Sequence, residues 1–373
     1  MNRKLFLLTI IFVLGSSLTG CKSANNPNDS DESELSNQTS STLILPNFLV
    51  EIEGQAEIRR AGWNKYLPAN FGTTLNPGDL IRIAEGGQAT VFCGDENSWE
   101  QGSKELVGDG QEHGVPCESG RPPRPWPDVV ALRGKNDFLR PYIEQPRNTA
   151  LLNDKPNLIL NLPDKSENNP VIISILSDDG KERPSFESSD TILSWPEEWD
   201  PLEIGGSYVI VIGDGPIDTG ATTGQVFWLL DTQNEGFLNN QELKLRQTGL
   251  SDTAQNLLVA ELYQEYDLFS EAIELLKPLT ISKSSPIVWL YMGRIYMETG
   301  LPEQAYSSYQ EALSLAEKMG DLQSLAETHI GLALVSQMNN DLSSHTAHIE
   351  EARRICEEIG DIKILQEIEK LSQ

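Results

Sequence analysis

The stretch 289-WLYMGRIYMETGLPEQAYSSYQEA-312 decides the architecture of the C-terminal third. From about Thr253 onward the apolar residues recur at a helical period, and the pattern repeats itself. Within this stretch Gly293 and Ala305 are small where two antiparallel helices must cross, and Trp289, Tyr296 and Tyr309 are large enough to fill the space around them. An upstream copy carries Val259, Ala260, Tyr263, Ala272 and Leu276. A downstream copy aligns Tyr309 and Ala312 with Ile349 and Ala352, and Gly320-Asp321 with Gly360-Asp361. Helices of about 18 residues account for the longer downstream period. Three repeats are about the minimum for a stable solenoid, and Ile362 to Leu371 supplies a closing helix.

The spacing of Trp289, Gly293, Tyr296, Gly300, Ala305, Tyr309 and Ala312 resembles the tetratricopeptide repeat. That resemblance implies an all-α solenoid over residues 250–373 and a concave groove lined by the first helix of each pair. The positions between the signature residues then face the groove: Leu257, Glu261 and Gln264, then Leu290, Arg294 and Met297, then Ile330, Leu334 and Gln337. Their mixture suits an apolar peptide or protein segment steered by a few charges. The Lys/Asn carboxylate clamp of some chaperone-binding relatives is missing, which argues against capture of a free C-terminus. The alternative is that the chain's own β domain packs this face.

The chain opens with a basic Asn2-Arg3-Lys4 and a nearly continuous apolar run from Leu5 to Leu14, too short to span a bilayer comfortably and typical of a signal peptide. Leu18-Thr19-Gly20-Cys21 resembles the bacterial lipobox. The resemblance implies cleavage after residue 20, a lipid anchor on Cys21 that attaches the mature chain to the membrane, and a place in the cell envelope facing the periplasm. Lys22 in place of the inner-membrane retention Asp favours the outer membrane. Residues 21–41 are polar and acidic and form a tether, reaching roughly 25 Å as a flexible coil.

From Leu43 short apolar runs alternate with turn residues, the mark of a small all-β unit. Gly54, Trp63, Leu75-Asn76-Pro77-Gly78-Asp79 and Gly86-Gly87-Gln88-Ala89 follow one another in the order of the FecR-like domain, which this segment (42–120) resembles. Family members act in periplasmic signalling or stand as modules in envelope proteins; the chain departs from the signalling type, since no membrane-spanning helix follows the domain. At Gly78-Asp79 a turn with a capping Asp is the expected structure. Cys93 and Cys117 flank a polar loop and are expected to form a disulfide outside the cytoplasm, with a metal site using His113 as the rival. Cys356 is left as a small buried residue. Residues 121–148 begin with the proline-rich Arg121 to Pro127, a spacer that could also serve as a ligand for an aromatic groove. Strand-like runs at 158–162, 171–176, 191–195, 207–212 and 226–230 make a second β domain over 149–232, and Gly205-Gly206 with Tyr208 to Val211 resembles a strand of an immunoglobulin-like sandwich.

The net charge is −28 and the pI about 4.4. Such a surface repels nucleic acid and anionic headgroups. It serves solubility, or else selects a basic partner or divalent cations. Asp231 to Glu242 fits part of a calcium-binding loop, but Gln233 and Glu235 crowd the ligand positions and the reading preferred is a turn into a helix. His345 and His348, with His329 before them, are expected as polar surface rather than metal ligands. No GxSxG, HExxH, P-loop or dinucleotide fingerprint occurs, so neither an enzyme nor a bound cofactor is expected. The whole resembles the FecR-plus-tetratricopeptide envelope lipoproteins of cyanobacteria, which implies a non-catalytic protein-binding scaffold. A cell-wall module binding peptidoglycan or glycan is the alternative, which exposed Trp63, Tyr66 and Trp99 would support.

Overall fold

The computed structural model describes residues 43–95, 99, 103–122, 124–127, 141–162, 170–178, 185–213 and 223–371. The expected leader, the anchor at Cys21 and the tether lie outside the described residues.

The N-terminal β unit comprises β1 (Asn47–Glu53), β2 (Ala56–Arg59), β3 (Leu67–Ala69), β4 (Thr74–Leu75), β5 (Leu80–Ile83), β6 (Gln88–Phe92), β7 (Lys104–Val107) and β8 (Glu112–Gly114). They pair into two antiparallel sheets, ordered β4-β1-β6-β7 and β3-β2-β5-β8. Alternate residues Ile58, Ile81 and Ile83 point into the core between them. Strand β1 is buried on both faces. Leu49 packs in this core, whereas Phe48 and Val50 belong to the core shared with the helices, and all three are fully buried. A disulfide joins Cys93 to Cys117 across a separation of 24 residues. The Gly78-Asp79 turn is structural: Asp79 accepts from the Asn76 amide at 2.8 Å and pairs with Arg60 at 2.9 Å.

The second β unit comprises β9 (Tyr142–Gln145), β10 (Thr149–Leu151), β11 (Leu158–Asn161), β12 (Val171–Ser177), β13 (Phe186–Ser188), β14 (Ile192–Leu193), β15 (Ser207–Gly213) and β16 (Thr223–Leu229). A five-stranded sheet, β10-β16-β15-β12-β13, faces a three-stranded one, β14-β11-β9, over an aliphatic core with Trp195, Trp199, Tyr208 and Phe227. Tyr208 stacks on Phe227, and its hydroxyl accepts from the Glu203 amide at 2.7 Å.

Helices α1 (Thr232–Arg246), α2 (Asp252–Glu265), α3 (Phe269–Ser282), α4 (Pro286–Glu298), α5 (Pro302–Met319), α6 (Leu322–Met338), α7 (Leu342–Ile359) and α8 (Ile362–Leu371) follow. They stack as the pairs α2/α3, α4/α5 and α6/α7, closed by α8. The crossing read from the sequence is realised at Tyr309. A Cβ placed on Gly293 would lie 2.4 Å from its ring, and one on Gly331 2.5 Å from the other side. Asp231 caps α1, accepting from the Asn234 amide at 2.9 Å. The residues of the calcium-loop pattern therefore start a helix, and their oxygens spread around its surface instead of converging on one point.

Both β units are fastened to the turns of the helical stack. The first meets the N-terminus of every first helix in turn. Glu51 accepts from the Ser251 amide at 3.0 Å, Ser285 donates to the Phe71 carbonyl at 2.7 Å, Asn70 donates to Asp321 at 3.0 Å, and the Trp63 indole donates to Asp361 at 2.9 Å. Ser251, Ser285, Asp321 and Asp361 also cap their own helices, so each does two jobs. The second unit holds the opposite turns. Arg147, 1% exposed, donates to the Thr299 and Gly300 carbonyls at the end of α4, and Thr149 bridges the Asp267 carbonyl and the Phe269 amide. Among the described residues no helix is long and apolar enough to cross a membrane.

Candidate binding cleft

The concave face of the helices is not the open groove expected. Leu257, Glu261, Gln264, Leu290, Met297, Ile330 and Leu334 are all buried, Arg294 is half-buried, and only Gln337 is exposed. Two parts of the chain cover this face. The 70–73 turn presses in from the first β unit, where a Cβ on Gly72 would stand 3.2 Å from Ile287 and 3.6 Å from Leu257. The proline-rich segment meets it at Glu261, Gln264 and Arg294. Arg121 pairs with Glu261 at 3.0 Å and with Glu265 at 2.6 Å. Arg124 donates to the Gln264 carbonyl and reaches Asp267 at 3.5 Å, and Arg294 lies 4.1 Å above the Trp126 ring. Leu257 thus serves an internal interface with the first β unit, because apolar surface left facing water is driven to the nearest complementary surface, while Leu290, Met297, Ile330 and Leu334 are taken up by the core between the helices.

The covering changes the electrostatics. Burial pushes the Glu261 carboxyl up to about 7, and the Arg121 guanidinium opposes that rise. Burial, and then the Glu261 charge, raises the phenol of Tyr291 well above its ordinary value. Further along α4 and α6, Arg294 pairs with Glu327 at 3.0 Å, and Glu327 also accepts from Gln323 at 2.9 Å. Gln323 in turn accepts from Arg60 at 3.1 Å. Among these pairs a cleft of about 230 Å³ remains, bounded by Arg60, Trp63, Asp79, Trp126, Arg294, Glu327 and Glu367. The sequence marked the 121–127 segment as a spacer, with a ligand for an aromatic groove as the alternative, and not as a strap on the chain's own helices. Its two arginines, set three apart with a tryptophan beyond, were the available signal that it docks on an acidic face.

The remaining candidates are also placed. Trp63 and Trp99 are 6% and 4% exposed, so they form no aromatic face, and Tyr66 is covered by Arg82 at 4.1 Å. Tryptophans with this much ring area are held in cores more readily than on a surface. The Nδ1 atoms of His329 and His348 are 3.0 Å apart, one donating to the other, and His345 Nδ1 lies 3.0 Å from the Ala333 carbonyl. Among the described residues no group of three or more His, Cys, Asp or Glu is arranged to hold a metal ion. His113 pairs with Asp109 at 2.9 Å, away from the oxidised cysteines. Cys356 is buried, and burial pushes its thiol up to about 12, which keeps it unreactive.

No protein-family model matches the chain, and no curated protein does. Among solved structures it is similar to the crystal structure of MamA protein, at 13% identity and a TM-score of 0.21, covering 35% of this chain and 89% of that one. A likeness of that size carries no argument about function.

Proposed function

We propose that this protein is a non-catalytic protein-binding scaffold of the bacterial cell envelope, anchored through lipid on Cys21. The observation that carries the reading is the hold of the helical stack on the 121–127 segment. One face of the solenoid grips another stretch of polypeptide through ion pairs, a backbone carbonyl and a stacked ring. A surface that arranges such contacts along successive repeats is built for polypeptide. The FecR-like and immunoglobulin-like units act as braces that fix the stack's curvature through its turns. The glycan-binding alternative has less behind it, because Trp63 and Trp99 lie inside.

Two measurements test this. In-cell cross-linking of the full-length chain should capture a specific protein whose cross-links map to the helices; capture of peptidoglycan alone, or cross-links confined to the β units, would overturn the scaffold reading. Cys21→Ala should move the protein from the membrane fraction to the soluble fraction, and continued membrane retention would sink the anchor.

A further inference from the structure

The two coverings of the concave face are held in different ways. The first β unit is tied at four helix starts and shares a core with the helices through Phe48 and Val50. The 121–127 strap is held through Arg121, Arg124 and Trp126. Its arginines keep 28% and 29% of their side-chain surface, and their partners Glu265 and Asp267 keep 21% and 45%. Ion pairs as exposed as the one at Asp267 contribute little. Prolines at 122, 123, 125 and 127 carry no N–H, so the segment is extended before it docks and recognises the helices by side chains. Beneath it lies a row of groups suited to polypeptide. Glu261 and Glu265 stand one turn apart on α2, the Gln264 carbonyl and the Asp267 carboxylate follow at the end of that helix, and the Arg294 guanidinium lies on α4.

Glu261 decides what can take the strap's place. It is 2% exposed, and Arg121 is its ion-pair partner. Withdrawing Arg121 strands a carboxylate in the interior, a heavier cost than the loss of the outer pairs. The strap therefore leaves when another cation arrives. Arg121 Nη2 reaches Glu261 at 3.0 Å and Glu265 at 2.6 Å, and a guanidinium with several donors serves both carboxylates at once. We propose that the 121–127 strap is a built-in stand-in for the ligand, and that the partner carries an extended, proline-rich segment with two arginines three apart that exchanges with it. The proposal deepens the scaffold reading and rests on it. A strap tethered beside its own site competes at an effective concentration on the order of millimolar, so it turns away weak basic peptides and yields to a stronger one.

The test uses the full chain and a fluorescent peptide, GRPPRPWP, with the sequence of residues 120–127, followed by anisotropy. Arg121→Ala with Arg124→Ala removes the internal competitor and should raise the peptide's affinity about tenfold or more over the parent chain. Glutamine in place of both peptide arginines should abolish the gain. Glu265→Gln and Asp267→Asn, added to that variant, should weaken binding about tenfold, and Asn suits the φ of 56° at position 267. Glu350→Gln with Glu357→Gln, exposed charges elsewhere, should leave binding unchanged. Circular dichroism checks that each variant folds. If Arg121→Ala unfolds the chain, Arg124→Ala with Trp126→Ala releases the far end while Glu261 stays paired, and the same gain is expected. Equal affinity of parent and strap variants, equal binding of the glutamine peptide, or no binding to any of them would overturn the proposal. If the peptide fails while cross-linking still captures a protein on the helices, the exchange falls and the scaffold stands. Peptide binding with no protein captured would make the strap an internal brace only, and would overturn the exchange as well.

Discussion

Replacing Gly293 by Ala probes the crossing on which the helical stack depends. The added methyl would lie 2.4 Å from Tyr309 Cε1 and 2.7 Å from Cδ1, against about 3.5–4.0 Å for carbon atoms in contact. The ring must therefore retreat by roughly 1 Å. It has nowhere to go, because Tyr309 is fully buried and Gly331 of α6 closes on its other face at a comparable distance. Overpacking of this kind typically costs about 1–3 kcal/mol, and a ring walled in on both sides belongs at the upper end. Alanine's better helix propensity offsets about 1 kcal/mol of that. A net loss of about 2 kcal/mol is expected, read as a lower urea midpoint with an unchanged m-value when unfolding is followed by far-ultraviolet circular dichroism.

The same geometry sets the rescue. Tyr309→Leu alone leaves a cavity and should cost about 2–4 kcal/mol. In the Gly293→Ala background the methyl has vacant space to enter, so the double variant should be more stable than the sum of the two losses by about 2 kcal/mol. A Gly293→Ala protein as stable as the parent, or a strictly additive double variant, would refute the account of the crossing.

Other consequences are checked in the same way. Tyr309→Phe should change stability by less than about 1 kcal/mol, since the hydroxyl is buried without a hydrogen-bond partner. Replacing Cys93 and Cys117 by Ala should cost about 3 kcal/mol in urea, from the freedom returned to the unfolded loop. Glu261 has its folded-state pKa raised from 4.5 to about 7, so the folded chain holds the extra proton between those values and stability falls as pH rises through them; Glu261→Gln should flatten that slope. The His329–His348 pair acts in the opposite sense. Burial lowers both pKa values, with the His348 charge adding to the effect at His329; Glu351 and Asp341 oppose the shifts, while Arg354 and His345 reinforce them. Its contribution is therefore present above about pH 6.5 and lost as pH falls below, where two protons no longer fit between the rings; His348→Gln should remove the acid-side loss.

The helical stack was legible because its packing is local. Gly293, Ala305 and Tyr309 lie within one hairpin, and the small-against-large requirement of a helix crossing is written in adjacent turns. Gly331, which completes the Tyr309 socket, was missed because it comes from the next hairpin, where longer helices shift the repeat register. The strands of both β units were legible for a related reason, since alternation of inward residues such as Ile81 and Ile83 needs only a neighbouring sheet.

What fills the concave face was not legible, and the cause is physical. An apolar residue at a helical position reports that something covers it and carries no information about what. Leu257 and Leu290 would read alike beneath a partner peptide or beneath the 70–73 turn and the proline-rich segment that cover this face. Two signals nevertheless distinguish the cases. Strand β1 carries Phe48, Leu49 and Val50 in succession, and a strand buried on both faces of a small sandwich demands a second packing partner from the same chain. Ser251, Ser285, Asp321 and Asp361 recur at the start of successive first helices, where capping alone explains one bond each. Their second bonds all go to the first β unit. A sandwich tied to four helix starts in register cannot pivot without breaking several of those bonds at once, so the face beneath it is closed to a partner.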